Sequence, residues 1–120
     1  MKIFGHPWVE SECFYPIQRP QGIAQTPPNS TLKINSFDRE LMVYCQSNGI
    51  AYAIQINSLR EAIFANLLGA KYMITHKALA TTLMPVAQNY LFDSQVLATI
   101  SEDAEIEEMA KIGVDGVIFR

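Results

Sequence analysis

Two kinds of apolar pattern alternate along the chain. Short runs rich in Val, Ile, Leu and Tyr, at residues 51–56, 71–75, 95–100 and 116–119, read as strands buried in a parallel sheet. Between them, apolar residues recur at helical spacing. Ser36 is placed to cap a helix over 37–47 whose stripe is Phe37, Leu41, Tyr44 and Cys45. Ser58 with Glu61 forms a capping box, and the helix it opens is expected to bury Leu59, Ile63, Phe64 and Leu67. Leu79, Leu83, Val86, Ala87, Tyr90 and Leu91 mark a longer amphipathic helix. Pro85 lies in its middle and lacks the amide hydrogen for a bond to Thr81, which predicts a kink or break.

The closing segment carries the fullest set of signals. Ser101 is a cap, and Glu102, Asp103 and Glu105 fill a first turn where the helix dipole favours negative charge. Ile106, Met109, Ala110 and Gly113 follow helical spacing, with Lys111 in the last turn. Three segments share a glycine, then an apolar residue, then Ile five places on: Gly49 to Ile54, Gly69 to Ile74 and Gly113 to Ile118. Each glycine is expected to end a helix in a left-handed conformation before a strand. Asp93 and Ser94 are expected to do the same without glycine ahead of Gln95.

The amino-terminal third is less regular. Residues 2–5 read as a short first strand ended by His6 and Pro7, and residues 8–15 show no period. From 16 to 36 the chain reads as a Pro-rich loop, with Leu32 and Ile34 in a short extended piece. About five strands thus alternate with four helices, which implies a single α/β domain with a mostly parallel sheet and right-handed crossovers. The expected architecture is a flavodoxin-like open sheet with helices on both faces, and the alternative is a half (β/α) barrel.

Composition narrows the class. At 120 residues, 49% apolar and 18% charged, the chain has the content of one globular domain with its own core. A net charge of −3 gives no basic footprint for nucleic acid or anionic lipid. Apolar runs fall short of the ~20 residues a membrane span needs, and the first residues lack the apolar core of a signal peptide. Cys13 and Cys45 form no metal motif, so a reduced, cytoplasmic protein is expected.

The segment from Val96 to Arg120, VLATISEDAEIEEMAKIGVDGVIFR, resembles the closing strand-helix-strand of (β/α) barrels, especially glycerophosphodiester phosphodiesterases, which end near a similar G-V-D-G segment. The resemblance covers about the last 25 residues and implies a barrel-like unit. The family's His-Arg-Gly opening and acidic metal ligands have no counterpart here, so no catalytic residue carries over.

Ligands of parallel α/β folds bind beyond the carboxyl ends of the strands. Those ends carry His6, Asn57, Ser58, His76, Lys77, Ser101, Glu102 and Arg120. His6, His76 and Glu102 are the candidates for acid or base chemistry. Lys77, Asn57 and the helix amino ends at Ser58 and Ser101 are candidates to hold an anion. The Pro-rich segment would cover them. His6, Glu10, Glu12 and Cys13 are metal-ligating residue types, but their spacing matches no metal site. Gly-rich nucleotide loops, a serine-hydrolase elbow and a receiver-type aspartate are lacking, so no cofactor is expected, and the residues leave open whether the site is catalytic and name no reaction. A flavin carrier would need the missing phosphate loop. The expected functions are therefore a site for a small anionic or phosphorylated ligand or, alternatively, a non-catalytic homodimeric interaction module.

Overall fold

The computed structural model describes residues 1–28 and 30–120, and Gln25 through its backbone. Asn29, inside the expected Pro-rich loop, lies outside the described residues. The chain forms a single α/β unit with seven strands and four α-helices among these residues. The strands are β1 (Lys2–Phe4), β2 (Phe14–Ile17), β3 (Thr31–Ile34), β4 (Tyr52–Gln55), β5 (Tyr72–His76), β6 (Gln95–Ile100) and β7 (Gly116–Phe119). The helices are α1 (Arg39–Ser47), α2 (Leu59–Leu67), α3 (Lys77–Asn89) and α4 (Ala104–Ile112).

Every strand pair is parallel, and the order is β1-β7-β6-β5-β4-β3-β2. From β2 to β7 the chain steps to the next strand in one direction and never reverses. Right-handed crossovers that all step the same way place their helices on one face. Accordingly Leu41, Ala62, Ala65, Ala80, Leu83, Met84 and Met109 share one core with Tyr52, Ile54, Met73, Val96, Ala98 and Val117. An open, doubly wound sheet needs helices on both faces, so the half-barrel alternative describes this fold.

The opposite face is closed by curling. Phe4, Ala53, Tyr72, Ile74 and Leu97 form a second, smaller core, with Phe14 and Ile118 packed against it. Phe4 lies on one edge strand and Phe14 on the other, yet their ring centroids are 5.2 Å apart. In a flat seven-stranded sheet those edges would lie roughly 29 Å apart. Tyr72 completes the trio at 5.5 Å from Phe4 and 5.6 Å from Phe14. Gly116 allows β1 to approach β7. A methyl group there would lie 2.7 Å from the Lys2 carbonyl oxygen and 2.8 Å from Leu97.

Several expectations are corrected. The sheet has seven strands because β2 and β3 arise in and beside the stretch read as loop. Pro16 sits within β2, which is tolerated because β2 is an edge strand and needs no donor on its outer side. A 3₁₀ helix over Pro20–Gln25 joins the pair. Asp38, rather than Ser36, caps α1 and accepts from the Leu41 amide. Helix α3 runs through Pro85 without the break, one of the two outcomes expected there. Helix α4 starts at Ala104, so Ser101 precedes its cap position. None of the helices among the described residues is long and apolar enough to cross a membrane.

Candidate functional site

Side chains on a strand alternate between faces, so the inward set can be read from the second core. Ala53 and Gln55 face inward on β4, Tyr72, Ile74 and His76 on β5, and Leu97 and Thr99 on β6. The apolar members fill the middle of the curl. Towards the carboxyl ends the inward positions turn polar: Gln55, His76 and Thr99, with His76 and Thr99 side by side in the pairing. With Lys77, Ala78 and Arg120 they line a depression of about 430 Å³. None of these lining residues has a carboxylate side chain.

His76 is fixed by the helix that follows it. It occupies the cap position of α3, and its Nδ1 accepts from the Leu79 amide at 3.3 Å. A neutral imidazole that accepts at Nδ1 carries its proton at Nε2. His76 therefore offers a donor, and its lone pair belongs to the helix cap. Thr99 adds a hydroxyl, Gln55 an amide and Arg120 a guanidinium. The amides of Lys77 and Ala78, in the first turn of α3, have no intrahelical partner.

The remaining sequence candidates serve the fold. Lys77 Nζ lies 2.7 Å from Glu105 and 3.5 Å from Glu108, linking α3 to α4. Glu105 also accepts from the Ser101 amide and hydroxyl and from the Glu102 amide, at 3.0, 3.1 and 3.0 Å. Lys77 and the Ser101 amide hold its carboxyl down at about 2, against the opposing effect of burial. Ser58 caps α2 by accepting from the Glu61 amide, and the Asn57 amide donates to the Glu61 carboxylate.

His6 is engaged at both nitrogens. Its Nδ1 accepts from the Trp8 amide at 3.1 Å, so Nε2 donates to the Asp103 carboxylate at 3.1 and 3.3 Å. Its ring also meets the edges of Trp8 and Phe119. The structure thus brings His76, Lys77 and Arg120 around one depression and sets His6, Asn57, Ser58, Ser101 and Glu102 outside its lining. No residue of the Pro-rich segment lines it either. Gln55 and Thr99 escaped the sequence reading, although each is a polar residue at an alternate position of an otherwise apolar run.

A second polar cluster sits at the opposite, amino-terminal end of the strands. The Tyr72 hydroxyl donates to Glu12 at 2.5 Å, Thr31 donates to Glu12 at 2.7 Å, and Lys2 donates to the Tyr72 oxygen at 2.9 Å. Lys71 lies 3.6 Å from Glu12. Burial pushes the Tyr72 phenol up to about 12, and its bond to Glu12 acts in the same sense. Burial alone would raise the Glu12 carboxyl, but bonds from Tyr72 and Thr31 and the charges of Lys71 and Lys2 bring it below its ordinary value. This network pins the segment between β1 and β2 beneath the aromatic core. Among the described residues no group of three or more His, Cys, Asp or Glu side chains is placed to hold a metal ion. No protein-family model matches the chain, and no curated protein matches it.

Proposed function

We propose that the protein binds a small anionic ligand, of the phosphate or phosphate-ester class, at the carboxyl-terminal rim of its curled sheet. The observation that carries this reading is the lining itself: Gln55, His76, Thr99 and Arg120 bring side-chain donors, Lys77 and Ala78 bring first-turn amides, and none of these lining residues has a carboxylate side chain. A phosphate presents acceptor oxygens on all sides and is matched by such a set. The rim also lies beyond the strand ends, where parallel α/β folds bind ligands. The reading is one of binding. A general base would need the imidazole lone pair that His76 gives to Leu79.

Calorimetric titration with orthophosphate, pyrophosphate and a simple phosphomonoester tests it. Arg120→Ala is expected to weaken binding about tenfold, since a charged hydrogen bond contributes roughly 1.5–3 kcal/mol. His76→Asn keeps a side chain able to cap α3 and removes the Nε2 donor, so it should bind more weakly while melting near the parent. Parent-like affinity in both variants, or no heat from any of the three anions, removes the proposal.

A further inference from the structure

Helix α2 carries a stripe that the fold leaves uncovered. The sheet-facing side of α2 is made of Ala62 and Ala65, both fully buried. Arg60, Ile63, Phe64 and Leu67 follow at spacing i, i+3, i+4 and i+7 on the outward side. Ile63, Phe64 and Leu67 are 43%, 44% and 66% exposed. Beside this ridge runs a groove lined by Phe37, Arg39, Arg60, Glu61, Phe64 and Leu68. It lies between α1 and α2, which pack less closely than α2 packs on α3.

We infer that this face is the contact between two copies of the chain, with α2 antiparallel to its twin across a twofold axis. The ends of the stripe carry opposite charge. Arg60 stands at its amino end, over the Phe64 ring at 5.4 Å. At its carboxyl end Asn66 accepts from the amide of Asp93, an exposed residue. Among the described residues neither Arg60 nor Asp93 has an ion-pair partner. A twofold rotation centred between Ile63 and Phe64 places Arg60 of each copy over the carboxyl end of the other copy's α2. There the helix dipole and Asp93 both favour a cation. The same rotation sets Ile63 against Phe64 at the centre, where apolar anchors contribute most to an interface. A surface with a positive end, an apolar middle and a negative end is complementary to itself when reversed, as an isologous dimer requires. This inference is independent of the anion site, which lies on the other face of the sheet.

Sedimentation equilibrium of the full chain from low to high micromolar concentration tests it. The parent should dimerise. Ile63→Asp should be monomeric with an unchanged circular dichroism spectrum, since Ile63 is already half exposed. Arg60→Glu and Asp93→Arg should each weaken the dimer about tenfold or more, and the double variant should recover most of the loss. A parent that stays monomeric at high micromolar concentration overturns the proposal, whether the stripe then meets another protein or none. A dimer insensitive to Ile63→Asp, or charge reversals that do not rescue each other, also overturn it.

Discussion

The ammonium of Lys77 lies 2.7 Å from one oxygen of Glu105, whose other oxygen accepts from Ser101 and Glu102. A lysine at a strand end reads as an anion ligand in sequence, because nothing local says that a carboxylate 28 positions on will face it. The partner belongs to the next helix, and only the packing of α3 on α4 brings it there. Holding Glu105 at about 2, below its ordinary 4.5, makes stability depend on acid. A carboxyl whose pKa falls on folding contributes fully above its unfolded value and loses that contribution as pH drops through the folded one. Thermal melts should therefore show the parent losing stability between about pH 4.5 and pH 2. Glu105→Gln should melt lower at neutral pH and show a shallower fall in that window. Equal slopes in parent and variant would count against this wiring.

Among the elements, the helix-to-strand turns are legible and the helix faces only in part: Leu41, Cys45, Leu83, Ala87 and Met109 are buried as their spacing predicts, whereas Tyr44, Tyr90 and Leu91 are exposed and the face of α2 is inverted. Gly49, Gly69 and Gly113 adopt φ of 65°, 81° and 91°, and the residue after each donates back to the helix, as Ile50 does to Cys45 at 2.9 Å. The fourth turn uses the same geometry with Leu91 at φ 52° and Phe92 donating to Ala87 at 2.9 Å. The expectation that Asp93 and Ser94 would make this turn looked two residues too late, because a leucine gives no sign of a left-handed stop. Leu91 is 83% exposed, so its side chain contributes little burial. Leu91→Gly should relieve the left-handed strain and raise stability by about 1 kcal/mol in urea denaturation. An unchanged or lower midpoint would contradict that. Helical spacing in α2 identified a stripe but assigned the larger residues inward. The space between α2 and the sheet takes alanines, and no local pattern reports that distance. Strands β6 and β7 were readable as apolar runs, whereas β2 is hidden by Pro16 and by pairing that depends on β3, 14 or more residues away.

For the whole molecule, the choice between open sheet and half barrel turned on strand order, which alternation alone does not encode. Sequential parallel pairing puts all four helices outside and leaves the inner face to be closed by Phe4, Phe14 and Tyr72. The segment joining the two edge strands is then pinned by Glu12 at the amino-terminal end of the curl. The opposite end keeps its polar inward residues, Gln55, His76 and Thr99, beside Arg120. That polarity, an apolar plug with one end pinned by the Glu12 network and one donor-lined end, is what the anion site rests on. The most direct measurement follows backbone and side-chain resonances of isotope-labelled protein while orthophosphate is added at constant pH and ionic strength. Saturable shifts should concentrate at Gln55, His76, Lys77, Ala78, Thr99 and Arg120, and in Arg120→Ala their midpoint should move to about tenfold higher phosphate. Shifts that never saturate, or that gather at Lys2 and Lys71 at the other end, would contradict the account.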